Sequence, residues 1–260
     1  MMRRDDLNRR GLIGGAATGA LGVGLAGCER ISASPQVNRA LAVGEGVTRR
    51  AQRLLVDRMA LAREYPPQAI SRDFRPNGTT APDSDEYQAL VTTGFQDWRL
   101  DIGGLVERPL SLSLADLRAA PTRTQITRHD CVEGWSCIAK WRGARLGPLL
   151  DRAKVKREAR YVAFFCADTL ELTLDGSGDY YETIDLVDAY HPQTILAYDM
   201  NDAPLPVAHG APIRLRLERQ LGYKMAKYVM RIELIDSFEG LGRGRGGYWE
   251  DRGYQWYAGI

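Results

Sequence analysis

The chain contains 260 residues, of which 35 are basic (Lys and Arg), 33 are acidic (Asp and Glu) and 44% are hydrophobic. A formal net charge of +2 gives no indication of a nucleic-acid partner or a polybasic membrane patch, because both require an excess of positive charge. The chain beyond residue 27 is long enough for one sizeable domain that buries most of its apolar surface.

The first 27 residues have the pattern of an export signal. Arginines at positions 3, 4, 9 and 10 precede a short, glycine-rich apolar run that ends at Leu25. A charged start, an apolar middle and small final residues are typical of a cleavable signal, and the pair Arg9-Arg10 indicates the twin-arginine route. Leu25-Ala26-Gly27-Cys28 resembles the lipobox of bacterial lipoproteins, although plain cleavage nearby is an open alternative. We therefore expect a periplasmic protein or one on the outer face of the cell membrane, with a lipid anchor at Cys28 as one of the two outcomes.

The remaining chain is expected to form an N-terminal segment, residues 28–82, and a main domain, residues 83–260. Residues 28–46 are predicted to form a polar tether. The helical spacing of apolar residues over 47–64 predicts a helix that ends before Pro66 and Pro67. Residues 65–82 are rich in proline and read as an irregular wrap.

Within the main domain, short helices are predicted to begin at Asp83 or Ser84, at a capping box formed by Ser113 and Asp116, and over 146–153. Residues 184–189 read as a short helix or a turn. Strands are predicted at 98–102, 124–129, 161–165, 170–174, 194–198, 213–217 and 228–235. Strands outnumber the scattered helices, which favours an α+β fold with mixed or antiparallel sheets. The glycine-rich residues 242–247 are interpreted as a loop, because no predicted helix follows them.

Cys131 lies at a predicted strand end, beside His129, Asp130 and Glu133. A thiol among an imidazole and carboxylates is typical of a metal ligand, and a buried free thiol is the alternative. With Cys28 lipidated, Cys131, Cys137 and Cys166 would remain in an oxidising compartment, where three thiols cannot all pair. A disulfide between Cys137 and Cys166 is open at this point.

Two further segments carry unusual patterns. His209 and Arg214, followed by Lys224 and Lys227 after a glycine, form a cluster of cations that suits a phosphate; a solvated basic strand edge is the alternative. The segment Tyr248–Ile260 contains five aromatic residues among thirteen. We expect it to pack back on the body of the protein, either as core cover or as a lid over a site.

Five motifs occur in an order that resembles the sulfite-oxidase family of molybdenum enzymes over roughly residues 75–240. They are His129–Trp135, Trp141–Gly143, Tyr161–Phe164, His209–Arg214 and Gly222–Lys227. The most similar branch is that of the exported methionine-sulfoxide reductase catalytic subunits. The resemblance implies a sulfite-oxidase-type molybdopterin-binding fold, a molybdenum–molybdopterin cofactor and oxidoreductase activity.

The resemblance also implies residue roles. Cys131 matches the molybdenum ligand, and a soft thiolate suits that metal. Glu133 matches a carboxylate close to the metal that could move protons, although a surface salt bridge is an equal alternative. His129 is expected to orient the loop and Asp130 to support a turn. The implied cofactor-binding residues are Asn77, Cys166 (where a relative has threonine), His209, Arg214, Lys224, Met225, Ala226 and Lys227.

The implied reaction is oxygen-atom transfer. No haem or iron–sulfur motif is present in the sequence, so we expect an external redox partner, a haem protein in or near the membrane. Sulfite-oxidising members follow the cysteine with Gly-Asn-Arg-Arg, whereas here Glu133–Ser136 carries no basic pair. This difference favours reduction of a neutral sulfoxide or other S- or N-oxide, small or protein-bound, over sulfite oxidation.

Two other function classes are open from the sequence. One is a zinc protein that uses His129, Cys131 and Cys137, and the other is a non-catalytic lipoprotein. The chain shows no immunoglobulin-like dimerisation module after the main domain, so we expect a monomer.

Overall fold

The computed structural model describes residues 35–174, 176 and 178–260. The predicted export signal and lipobox, residues 1–28, lie outside the described residues. The chain divides into two compact units, residues 1–55 and 56–260. The described part of the first unit is a single helix, α1 (Pro35–Leu55).

Helix α1 differs at both ends from the helix predicted over 47–64, so that prediction was wrong in its bounds. A proline is tolerated in the first helical turn, where its missing N–H costs no hydrogen bond. Alanine, leucine, glutamine and arginine residues then favour the helix despite two glycines. Beyond Leu55, the Asp57 carboxylate accepts a hydrogen bond from the Met59 N–H at 2.7 Å, which offers the backbone an alternative to the helix. Among the described helices, none is both long and apolar enough to cross a membrane.

The second unit is built on two β-sheets. The first sheet has the strand order β2-β1-β10-β5-β6; β1 and β10 are parallel and the other neighbours are antiparallel. Its strands are β1 (Arg99–Gly104), β2 (Leu110–Ser113), β5 (Tyr161–Thr169), β6 (Asp179–Asp185) and β10 (Val229–Ile235).

The second sheet has the order β3-β4-β7-β8, and β9 also pairs with β7. All of its pairs are antiparallel. Its strands are β3 (Thr122–Asp130), β4 (Ser136–Arg145), β7 (Ile195–Met200), β8 (Ala203–Pro204) and β9 (Arg214–Arg216). One mixed and one antiparallel sheet with a few short helices confirm the predicted α+β class.

The described helices of the second unit are short. They are α2 (Asp85–Thr92), α3 (Leu114–Ala119), α4 (Leu146–Ala153) and α5 (Leu186–Ala189). The capping box at α3 is confirmed: the Ser113 hydroxyl accepts from the Asp116 N–H at 3.1 Å and the Asp116 carboxylate accepts from the Ser113 N–H at 2.9 Å. Helix α2 begins after Ser84, as the sequence predicts.

Side chains from both sheets form the main hydrophobic core. Ile102, Phe164, Leu196 and Leu215 are fully or almost fully buried there, and α4 contributes Leu150. Burial of such side chains is the main favourable term in folding. A second, smaller cluster contains Trp141, Ile195 and Met200, with Phe74 packed against it.

One strand prediction fails, and the strand that follows it in the chain was not predicted. Residues 170–174 were expected to form a strand, yet Leu172 and Leu174 are fully exposed and β5 ends at Thr169. The next strand, β6, was not predicted because it carries Glu182 and Thr183, which are polar and yet buried. Strand β4 was missed for a similar reason, since Lys140 and Arg142 interrupt its apolar pattern.

Truncation of a core side chain tests this packing. We expect Leu150→Ala to lower the free energy of unfolding by about 2–5 kcal/mol, because the substitution removes buried methyl groups and leaves a cavity. Leu172→Ala is the matched control and should change it by less than about 0.5 kcal/mol, because Leu172 is exposed. Urea unfolding of both variants measures the difference, and equal losses would contradict the described burial.

Candidate active site

Cys131 lies in the tight turn that joins β3 to β4. The Cys131 N–H donates to the Trp135 carbonyl and the Gly134 N–H donates to the Cys131 carbonyl, both at 3.0 Å. Gly134 has a φ of 85°, a conformation that glycine adopts without steric cost. The Asp130 carboxylate accepts from the Ser136 hydroxyl at 2.6 Å, which supports the turn and agrees with the role predicted for Asp130. The hairpin therefore holds the thiol at a defined position.

A cavity of about 120 Å³ opens beside this turn. Six segments of the second unit line it, and they bring together residues that are up to 177 positions apart in the sequence, from Asn77 to Tyr254. Its lining residues are Asn77, Gly78, Thr79, Cys131, Val132, Glu133, Asp168, Leu170, Tyr180, Tyr223, Met225, Lys227, Trp249 and Tyr254.

His129 packs against Met225, one of the residues that line the cavity. Its ring is fully buried, and Nδ1 lies 3.1 Å from Arg216 Nη1 and 3.3 Å from Met225 Sδ. Burial and the charges of Arg216 and Arg214 lower the pKa of His129 well below its ordinary value. A Cβ at Gly222 would lie 2.4 Å from this ring, so the Gly222 turn approaches His129 as only glycine allows. The neutral imidazole thus has the structural role that the sequence favoured.

Arg214 and Arg216 point from β9 into the interior, and both are fully buried. Arg216 has a carboxylate partner, because its Nη2 lies 2.7 Å from Glu218 Oε2. Arg214 donates one hydrogen bond to the His209 carbonyl at 3.1 Å. Its Nε and Nη2 atoms have no hydrogen-bond partner among the described residues. Burial and the nearby charge of Arg216 lower the pKa of Arg214 to about 9.

Lys227 joins this cationic cluster to the cavity. Its Nζ donates to the carbonyls of Asn77 at 2.6 Å and of Ala208 at 3.3 Å, and also to that of Thr79. Burial and the charge of Arg214 lower the pKa of Lys227 to about 7. Burial and the same two cations lower the pKa of His209 to about 4, and His209 Nδ1 is a buried atom without a partner among the described groups. A negatively charged ligand would stabilise this arrangement.

The remaining predicted cofactor residues fall in different places. Met225 lines the cavity, whereas Ala226 is buried and its carbonyl accepts from the Leu215 N–H at 2.8 Å. Cys166 is partly exposed on β5, and desolvation raises the pKa of its thiol well above the ordinary value. Cys131, Cys137 and Cys166 are all free thiols, so the structure contains no disulfide between Cys137 and Cys166.

Lys224 has partners that differ from the phosphate expected from the sequence. Its Nζ lies 2.5 Å from Glu182 Oε1 and 2.5 Å from Glu250 Oε1, and all three side chains are buried. Its ammonium is therefore engaged by two carboxylates, and it does not line the cavity. This geometry favours a structural role for Lys224 in fixing the C-terminal segment over a role in phosphate binding.

The aromatic C-terminal segment packs back on the body, as predicted, and it also forms a wall of the cavity. Trp249 and Tyr254 stack with ring centroids 5.3 Å apart, and Tyr223 meets Tyr254 edge-on at 5.1 Å. The Trp256 Nε1–H donates to the Thr183 hydroxyl at 2.8 Å. The sequence left core cover and a lid over a site as alternatives; in the structure the segment both covers the body and lines the cavity.

A sequence model described as "Oxidoreductase molybdopterin binding domain" matches residues 88–240. The chain belongs to this molybdopterin-binding oxidoreductase family. The match includes Cys131, Arg214 and Lys227, and it ends before the aromatic C-terminal segment. The sulfite-oxidase-type resemblance inferred from the sequence is confirmed, and so is the prediction of an enzyme with a molybdopterin cofactor.

Several relatives of this molybdopterin-binding oxidoreductase were found. A protein of Azospira oryzae with the provisional name protein-methionine-sulfoxide reductase subunit YedZ1 is 36% identical over 257 residues, which cover 99% of this chain and 87% of the relative. The protein-methionine-sulfoxide reductase catalytic subunit MsrP of Campylobacter jejuni is 37% identical over 147 residues, 53% of this chain and 49% of its own length. The sulfane dehydrogenase SoxCD from Paracoccus pantotrophus matches with a TM-score of 0.48 and 26% identity, over 55% of this chain and 39% of its own.

The residues present fit the cofactor that the family implies. The partnerless Nε and Nη2 atoms of Arg214 and Nδ1 of His209 suit the phosphate of molybdopterin, and Lys227 adds an ammonium group beside them. Burial raises the pKa of the Cys131 thiol, and a metal would stabilise its thiolate. The described residues contain no group of three His, Cys, Asp or Glu side chains that could hold a metal ion. The zinc alternative therefore has no assembled ligand set there.

The structure adds cavity residues that the sequence analysis missed, of which Asp168 is the most informative. It lies two positions beyond Cys166, a spacing that places two side chains on one face of a regular strand. A register shift between Phe165 and Thr169 breaks that regularity, so the spacing alone could not place Asp168. Such bulges often re-aim side chains beside active sites.

We expect Cys131→Ser in the molybdenum-loaded protein to remove one sulfur neighbour of the metal, because serine cannot supply a soft ligand. X-ray absorption at the molybdenum edge counts these neighbours. Cys137→Ser is the matched control: its thiol contacts the Asp73 carbonyl at 3.7 Å and does not line the cavity. Identical sulfur counts in both variants would contradict the assignment of Cys131 as ligand.

The buried ion triad of Lys224 gives a stability prediction. Lys224→Met leaves Glu182 and Glu250 buried without their cation, and removal of one partner of a buried pair costs about 3–5 kcal/mol. Lys154→Met is the control, since Lys154 faces Glu107 at 3.9 Å on the surface, where such pairs contribute about 0–1 kcal/mol. Chemical unfolding compares the two, and a tolerated Lys224→Met would refute the structural role.

Proposed function

We propose that this oxidoreductase reduces a neutral sulfoxide or a related S- or N-oxide by oxygen-atom transfer. The proposal rests on one observation, the charge of the cavity beside Cys131. Among its described lining residues are two carboxylates, Glu133 and Asp168, and one cation, Lys227. The ammonium of Lys227 already binds three backbone carbonyls.

This distribution of charge disfavours an anionic substrate such as sulfite. A sulfite ion in this cavity would meet Glu133, and also Asp168 where that group is ionised above about pH 6, with no free cation among the described lining residues. Like charges repel one another in such a site. Arg75 faces the Glu133 carboxylate at 3.7 Å and thus has an acidic partner of its own. A neutral oxide carries no such penalty.

The walls suit a substrate with an apolar body and one polar oxygen. Leu170, Met225, Tyr223, Trp249 and Tyr254 supply apolar and aromatic surface. Ligand sites of this kind combine apolar walls with a few placed polar groups. Methionine sulfoxide, the substrate in the names of the two reductase relatives, has this chemistry.

The cofactor, when bound, supplies two-electron oxygen-atom exchange. The residues of the chain then hold and surround it: Cys131 as the metal ligand, Arg214, His209 and Lys227 on the phosphate, and the C-terminal aromatic wall to limit access of water. Asn77, Cys166, Met225 and Ala226 remain predicted cofactor contacts. Glu133 lies at the edge of the cavity with a half-exposed side chain, and its role in proton transfer remains a prediction.

We further propose, from the N-terminal pattern alone, export by the twin-arginine route, with a lipid at Cys28 to retain the protein at the membrane. A separate haem-containing redox partner would supply the electrons there. These proposals concern residues and partners outside the described structure.

Steady-state assays with the molybdenum-loaded protein and a reduced dye as electron donor test the substrate class. We expect turnover of methionine sulfoxide and of simple dialkyl sulfoxides. With an oxidised dye as acceptor, we expect kcat/KM for sulfite to be lower by at least about 100-fold, the factor for a few kcal/mol of charge repulsion. Efficient sulfite oxidation without sulfoxide reduction would overturn the proposal. The Cys131→Ser variant is the negative control for both assays.

A further inference from the structure

Asp168 is a buried carboxylate that faces the cavity and has no assigned role. It is 4% exposed and lines the same cavity as Cys131. Its Oδ1 atom is buried without a hydrogen-bond partner among the described residues. The hydroxyl of Thr79 lies within hydrogen-bonding reach of the carboxylate. An unpartnered buried carboxylate oxygen is costly to a fold, which indicates that it serves a ligand or a proton.

Glu133, the acid that the sequence favoured for proton transfer, is in a different environment. Its side chain is 54% exposed and faces Arg75 at 3.7 Å. It also accepts a hydrogen bond from Trp135 Nε1 at 2.9 Å. Asp168 has the opposite surroundings, since burial stabilises its neutral, proton-carrying form.

We propose that Asp168 is the proton donor to the oxygen of the oxide substrate. The inference rests on the proposed oxide reduction. In that reaction the sulfur–oxygen bond breaks, sulfur gains two electrons from the external reduced donor, and the oxygen leaves as water with two protons. Asp168 delivers one of these protons to the oxygen inside the cavity and is then reprotonated from solvent, which also supplies the second proton.

The charged groups around Asp168 determine the pH range of this step. Burial, as the largest effect, raises the pKa of Asp168 to about 6, while the charge of Lys227 opposes the rise. The ionisable groups that face Asp168 are Cys166 on β5, Asp179 and Tyr180 on β6, Tyr87 on α2, and Lys227 and Tyr228 before β10. The pKa values of the Cys166 thiol and of the three tyrosines are all raised, so these groups stay neutral near pH 6.

A pH profile of oxide reduction tests the assignment. Because the acid form donates the proton, we expect kcat/KM of the wild-type holoenzyme to fall as pH rises through about 6. Asp168→Asn keeps the shape of the side chain but carries no acidic proton. We expect it to lower kcat/KM by about 10²–10⁴-fold, the usual contribution of a general acid, and to remove the fall near pH 6. Asp168→Glu restores an acid and should recover part of both.

Asp97→Asn is the matched control, because it removes an exposed carboxylate outside the cavity and should leave the profile unchanged. Molybdenum content and the unfolding midpoint of each variant establish that the holoenzyme is intact. A second readout, the infrared band of a protonated carboxyl between pH 5 and 8, should be lost in Asp168→Asn and retained in Asp97→Asn.

An Asp168→Asn holoenzyme with wild-type kcat/KM, or one that keeps the fall near pH 6, would overturn the proposal. A wild-type holoenzyme that reduces no oxide at any pH would instead overturn the proposed function, and the role of Asp168 with it. The two failures are distinguishable by the wild-type rate alone.

Discussion

The buried guanidinium of Arg214 is the constraint on which this site depends. It is fully buried, it has no ion-pair partner among the described residues, and two of its nitrogen atoms lack hydrogen-bond acceptors there. Burial of an unpaired cation costs several kcal/mol, and the lowered pKa of Lys227 and of His209 beside it has the same origin. An anionic cofactor group that pairs with this guanidinium removes the penalty, and the free energy recovered contributes to cofactor binding. Holoprotein formation should therefore be coupled to stability of the whole 209–227 region.

The two sheets bring the cationic region and the thiol to one place. Strand β9 carries Arg214 and pairs with β7, which pairs with β4, so the hairpin that holds Cys131 belongs to the same sheet. His129 at the end of β3 contacts both Arg216 and Met225, which links the hairpin to the turn that precedes Lys227. Rigid secondary structure on each side gives the positional accuracy that a metal site requires. The first sheet adds Asp168 and Tyr180 from its β5 and β6 strands.

The sequence predicts the parts of this site that depend on local pattern. The β3 strand and the turn at Cys131 lie in one short segment, and the cations at 209–227 are close in sequence. The triad of Glu182, Lys224 and Glu250 could not be predicted in this way, because its charges come from three distant segments and are buried only by their mutual pairing. Asp168 was missed because it lies in a register shift between Phe165 and Thr169, which single-sequence patterns do not show. Export and the redox partner depend on signals outside the described residues.

The most direct test of the account is a crystal structure of the holoenzyme with anomalous scattering recorded at the molybdenum edge. We expect the metal peak within bonding distance of Cys131 Sγ, and the cofactor phosphate against the Nε and Nη2 atoms of Arg214. A metal peak away from Cys131, or a phosphate held in solvent with Arg214 still unpartnered, would contradict the account.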